Sequence, residues 1–189
     1  FGEGIAILAG DALLTQAFAV LGGANWSEDT RSRCVAELAQ AAGTAGMVGG
    51  QADDLAAEES DTGDLQQLIS IHRRKTGAMI RVSLRLGAIV SRVSDEELVA
   101  LTSYGEKIGL AFQIADDLLD HNGDEQALGK RTNKDAGRGK LTFPVLLGAD
   151  EARGRAESLI AEAIDAISVF DDRATKLELL ANFVIARTN

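Results

Sequence analysis

A single proline, Pro144, interrupts a chain of 189 residues. Proline inside a helix costs about 3 kcal/mol, because it lacks an amide N–H and clashes with the carbonyl four residues back. A chain nearly free of proline, rich in Ala, Leu and Glu and only 4% aromatic, can run as long helices and is poorly suited to strands. The 20 glycines work against this. Each costs about 0.5–1 kcal/mol inside a helix unless a close backbone approach offsets it.

Hydrophobic spacing predicts a series of helices with short Gly, Asp and Ser punctuation. From Gly4 to Leu21, Ile5, Leu8, Ala12, Thr15 and Ala19 share one face, with Leu13, Ala17 and Val20 beside it. A helix with so little charge is expected to be buried, either in the core or in a subunit interface. Ser27, Glu28 and Asp29 predict the cap of a second helix running towards Gly49-Gly50, and the small residues from Ala41 to Gly46 allow another helix close approach.

Asp64 and Gln67 start a helix that runs through Leu68 and Ile71 to Lys75-Thr76. Ser94 with Glu97 is a capping box, after which Leu98, Leu101, Ile108, Phe112 and Leu119 keep helical spacing to about Asp120. The stretch from His121 to Lys140 lacks an apolar stripe and is expected to be a loop. Ala152 to Val169 and Ala174 to Ala186 predict two closing amphipathic helices. No repeat or composition break divides the chain, so residues 1–189 form one helical domain.

The net charge of -10 disfavours nucleic acid, which is bound mainly through clustered Lys and Arg. Cys34 is the only cysteine. It excludes an internal disulfide and a Cys-based zinc site, and it suits a reducing cytoplasm. No run of about 18 apolar residues is evident in the sequence, so no membrane span is expected.

The stretch with the most chemistry is Gln113-Ile114-Ala115-Asp116-Asp117-Leu118-Leu119-Asp120. At about 100° per residue, Gln113, Asp116, Asp117 and Asp120 fall within about a third of the helix circumference. Like charges this close repel, more so beside the apolar Phe112, Ile114, Leu118 and Leu119. A divalent cation removes the conflict, and hard carboxylate oxygens without His or Cys favour magnesium over zinc.

An isolated Asp-Asp-x-x-Asp is more often a solvated helix end. Here Gly129-Lys130, Lys134-Asp135 and Gly139-Lys140 follow within twenty residues, supplying glycine backbone and lysine charge for phosphate oxygens. Upstream, Lys75-Thr76-Gly77 and Gln51 with Asp53-Asp54 set polar groups into apolar surroundings. Together they suit a diphosphate bridged to protein by Mg2+.

Several strings resemble the trans-isoprenyl diphosphate synthases, the family of farnesyl and geranylgeranyl diphosphate synthases. They are Gly10-Asp11-Ala12-Leu13-Leu14, Gly46-Met47-Val48-Gly49-Gly50-Gln51, His72-Arg73-Arg74-Lys75-Thr76-Gly77, the stretch Phe112 to Asp120, and Leu128-Gly129-Lys130 through Gly139-Lys140 to Pro144. Their order and spacing are the family's, and they cover nearly the whole chain.

The resemblance implies an all-α helical bundle of the isoprenoid synthase type around a central apolar cavity. It implies a cytoplasmic transferase for an allylic diphosphate and isopentenyl diphosphate. Magnesium holds the allylic diphosphate, and the double bond of isopentenyl diphosphate attacks the resulting cation. By position, Asp116, Asp117 and Asp120 would be the second aspartate-rich motif and its metal ligands. Lys75 and Lys130 would hold the allylic diphosphate, with Thr76 and Gln113 positioning it. Lys140 would assist at the diphosphate, Phe112 would wall the second substrate, and Lys134 is a weaker candidate. The family also implies a homodimer, with the Gly4–Leu21 region at or near the interface.

The family's first aspartate-rich motif has no counterpart after Phe1. The chain is therefore expected to be the C-terminal part of a longer synthase domain and to lack part of the metal site on its own. Two other readings compete: a non-catalytic regulatory subunit of the same fold, and a class I terpene cyclase. The first predicts decay of the second motif, which is intact. The second predicts an aromatic-rich pocket, against one Trp and one Tyr here.

Overall fold

The computed structural model describes residues 1–59, 63–128 and 141–186, and among these there is no strand. The helices are α1 (Glu3–Gly23), α2 (Glu28–Ala42), α3 (Met47–Glu58), α4 (Leu65–His72), α5 (Ala78–Ser91), α6 (Asp95–Leu128), α7 (Phe143–Leu147), α8 (Ala149–Ala166) and α9 (Thr175–Ala186). A π-helical turn, Arg73–Gly77, joins α4 to α5, and a 3₁₀ segment, Ser168–Ala174, joins α8 to α9.

Several helix starts follow from local chemistry. Ser27 Oγ accepts from the Thr30 N–H at the head of α2, and Asp64 Oδ1 accepts from the Gln67 N–H at the head of α4. Before α6 the capping box is reciprocal: the Glu97 N–H donates to Ser94 Oγ, and the Ser94 N–H donates to Glu97 Oε2 at 2.9 Å. These bonds satisfy amide donors that have no partner within the helix. Pro144 sits in the first turn of α7, where its missing N–H costs nothing.

α6 is the axis of the fold. One face buries Tyr104, Ile108, Ala111 and Ala115 against Ile160, Ala163 and Ile167 of α8 and its C-terminal end, and against Ala181 and Val184 of α9. A second face packs Leu110, Ile114 and Leu118 against Leu68 and Ile69 of α4, Phe143 of α7, and Ala152 and Ala156 of α8. Tyr104 is fully buried; its hydroxyl donates to the Leu177 carbonyl at 2.7 Å, and burial pushes its phenol up to about 12. Cys34 is also buried, which raises its thiol and keeps it inert.

Three expectations change. The helix expected from Ser27 to Gly49-Gly50 is two helices, broken at Gly43–Gly46, where Gly46 lies too close to the Ala41 backbone for a side chain. Of the loop expected from His121 to Lys140, the part up to Leu128 is helical, as the end of α6, and residues 129–140 lie outside the described residues.

The third change concerns α1, which buries no residue completely. Only Ala17, Phe18 and Leu21 pack, against Leu38, Ala41, Ala78 and Val82 of α2 and α5. Ile5, Ile7, Leu8, Leu13 and Val20 are exposed, so α1 is not a core helix of this chain. By length and composition alone α1, with an 18-residue window of mean hydropathy 1.8, could cross a bilayer, which does not contradict the expectation of no membrane span. Asp11 lies near its middle, and a carboxylate there opposes insertion by about 2.5–3.5 kcal/mol.

Candidate active site

The site forms where the π turn meets α6. A π turn widens the helix by one residue and is found mostly at functional positions. Here two glycines set it close to its neighbours. A Cβ on Gly50 of α3 would stand 2.7 Å from the Lys75 Cα, and one on Gly109 of α6 would stand 2.8 Å from the Gly77 Cα. The turn is therefore held backbone-to-backbone on both sides.

That clamp aligns three of the expected residues. Thr76 Oγ1 donates to Gln113 Oε1 at 3.1 Å, and Gln113 Nε2 donates to Asp116 Oδ2 at 3.3 Å. The bonds orient the Gln113 amide and leave Asp116 partly exposed at the end of the line. Phe112 is half-buried and packs against the α6–α8 core. Lys75 Nζ donates to Asp54 Oδ2, and Arg74 pairs with Asp53 while donating to the Thr44 carbonyl at 2.8 Å.

The sequence marked Asp53-Asp54 as polar groups in apolar surroundings but did not match Asp54 to Lys75. The signal was present: two adjacent acids, Asp53 and Asp54, match two adjacent bases, Arg74 and Lys75, and a Gly-Gly pair precedes the acids. His72 was also missed as a residue with a role of its own. It is buried three residues before Lys75, and its ring lies on Phe143 with centroids 5.7 Å apart and planes 18° apart.

The three aspartates have different surroundings. Among the described residues no three His, Cys, Asp or Glu side chains converge in a way that would hold a metal ion. Asp116 is partly exposed and Asp120 exposed, but Asp117 is 6% exposed and accepts the Phe143 N–H at 3.0 Å. Of the expected ligand trio, Asp116 and Asp120 thus reach solvent, while Asp117 is taken up by the Phe143 amide. A step of about 100° turns Asp117 into the core, whereas Asp116 and Asp120, one turn apart, share a face. Two carboxylates on one face still fit magnesium, which usually takes one or two carboxylates and fills its octahedron with water and phosphate oxygens. Lys130, Lys134 and Lys140 lie outside the described residues.

Residues 1–181 match the polyprenyl synthetase family over nearly the full chain. The chain belongs to the polyprenyl synthetase family. It is 46% identical over 194 residues to the farnesyl diphosphate synthase of Escherichia coli, covering 99% of this chain and 64% of that protein. Among solved structures, this chain superposes on an FPP/GFPP synthase from Zymomonas mobilis with a TM-score of 0.86 at 40% identity, covering 97% of this chain and 62% of that one.

A geranyltransferase from Helicobacter pylori, solved with magnesium and isoprenyl diphosphate, gives a TM-score of 0.78 at 33% identity, covering 98% of this chain and 61% of that one. The fold is thus the all-α fold of prenyl diphosphate synthases. The chain spans less than two thirds of the length of each of these relatives.

Proposed function

We propose that this chain carries the diphosphate-binding part of a trans-prenyltransferase that condenses an allylic diphosphate with isopentenyl diphosphate, head to tail. The observation that carries the reading is the line Thr76–Gln113–Asp116, which brings a hydroxyl, an amide and a carboxylate from two elements to one edge of the bundle. Family membership and the farnesyl diphosphate synthase relative support the same chemistry.

Asp116 and Asp120 would hold magnesium, which when bound would supply Lewis-acid stabilisation of the departing diphosphate. Lys75 holds a diphosphate oxygen, sharing its charge with Asp54. Lys130 and Lys140 add charge from the segment that follows α6. Thr76 and Gln113 fix the orientation of the allylic end, and Phe112 walls the apolar side, where exclusion of water protects a cationic carbon. Charge stabilisation aimed at the leaving group lowers the barrier more than substrate binding does.

The active form is a homodimer in which α1 meets its counterpart, covering Leu8, Leu13 and the other apolar side chains exposed on it.

The test is a prenyl-transfer assay on the longest polypeptide that carries this sequence, with magnesium, labelled isopentenyl diphosphate and geranyl or farnesyl diphosphate, and products sized by mass spectrometry. Elongation that disappears on chelation is the expected result. Tight magnesium-dependent diphosphate binding without elongation would point instead to the non-catalytic subunit.

A further inference from the structure

Asp117 and its neighbour Asp116 face different surroundings. Phe143 is fully buried at the start of α7, where no capping side chain within its own segment accepts the first amides. Its N–H donates instead to Asp117 Oδ2 across the core. The Nε2 atom of His72 lies 3.5 Å from the same oxygen, and neither ring nitrogen of His72 has a hydrogen-bond partner within bonding distance and angle among the described residues. Asp117 therefore faces the buried His72 edge, and the His72 ring stacks on Phe143.

A metal ion at Asp117 would have to displace this packing, because the side chain is sealed between α4, α6 and α7. The three residues of the cluster also lie beside the proposed diphosphate ligands in sequence. His72 precedes Lys75 by three residues, Asp117 follows Asp116, and Phe143 follows Lys140 by three. One buried carboxylate thus ties together three segments that would each present a ligand.

Resting on the functional reading above, we propose that Asp117 is a positioning residue and not a metal ligand. It sets the relative register of the π turn, the Asp116 turn of α6 and the segment at Phe143, and it acts on the diphosphate only through Asp116 and Lys75. A carboxylate hydrogen-bonded to a buried amide is well suited to this, since breaking it leaves a polar group unsatisfied.

The test compares Asp117→Asn, Asp117→Ala and Asp116→Asn in the longest polypeptide that carries the chain. Three readouts are used: calorimetric binding of inorganic diphosphate with magnesium, hydrogen exchange at the Phe143 amide, and turnover. The Asn oxygen still accepts the Phe143 N–H, so Asp117→Asn should bind within about threefold of the parent, whereas Asp116→Asn should lose about a hundredfold. In Asp117→Ala the Phe143 amide should exchange at least about tenfold faster, whereas in Asp116→Asn it should stay as in the parent.

In turnover, Asp117→Ala should raise KM and lower kcat together, and Asp117→Asn should restore most of both. Loss of magnesium-dependent binding in Asp117→Asn equal to that in Asp116→Asn would make Asp117 a ligand and overturn the proposal. Unchanged Phe143 exchange in Asp117→Ala would overturn it as well. A parent that binds no magnesium diphosphate would remove the functional reading, and the exchange comparison would still decide whether the tie exists.

Discussion

Gly50 lies against Lys75 so closely that a Cβ there would sit 2.7 Å from the Lys75 Cα and 2.8 Å from the Arg74 carbonyl carbon. Both obstacles are backbone, which cannot rotate aside as a side chain tip can. Gly50→Ala should therefore cost about 1–3 kcal/mol and lower the thermal midpoint by several degrees, read by circular dichroism. Gly87 in α5 has nothing within 4 Å of a Cβ, so Gly87→Ala should instead stabilise by about 0.4–1 kcal/mol. Equal effects at the two positions would show that α3 and the π turn are not in backbone contact.

Lys75 and Asp54 form a pair with side chains 31% and 15% exposed. A double-mutant cycle on unfolding free energy, with Lys75→Met and Asp54→Asn, should give a coupling of about 0.5–1 kcal/mol, given the partial exposure. Lys75→Met should also weaken diphosphate binding by about tenfold, through loss of a charge-assisted bond. A coupling indistinguishable from zero at low salt would refute the pair.

Arg85 holds Glu37 bidentately, with Nε donating at 2.8 Å, while its Nη1 donates to Thr102 Oγ1 at 2.8 Å. The Arg85 hydrogen bond is the main reason that the Glu37 carboxyl sits below its ordinary value, and burial opposes it. A depressed folded value means that the stabilisation is present above the unfolded value of 4.5 and is lost as pH falls through the lower, folded one. Glu37→Gln should thus be less stable than the parent at pH 7, and the gap should close on acidification below about 4.5. Urea midpoints of both proteins from pH 3 to pH 7 measure this, and a gap constant over that range would contradict it.

The exposed apolar side chains of α1 lead to a fourth prediction. Sedimentation equilibrium at micromolar concentration should give a dimer, and Leu13→Asp should shift it to monomer with helical content unchanged. Leu13 is 71% exposed in the single chain, so the change would not disturb the fold itself. A parent that sediments as a monomer would remove the α1 interface.

Much of this protein was decided within short stretches of sequence. Near absence of proline and regular apolar spacing specified helices, because helix propensity and capping act over a few residues. Ser27, Asp64 and the Ser94–Glu97 box marked starts that the structure keeps. The acidic stretch on α6 and the polar Lys75-Thr76-Gly77 inside an apolar helix marked the site, since buried charge requires a partner. What the sequence could not decide was which groups partner one another across the bundle. The match of Asp54 to Lys75, the inward turn of Asp117 to Phe143, and the line Thr76–Gln113–Asp116 join residues 21 to 37 positions apart. Such contacts depend on how helices pack against each other. A helix period alone gives Asp117 an angle about its own axis, and only the packing of α4 and α7 against α6 determines whether that angle meets water or the core.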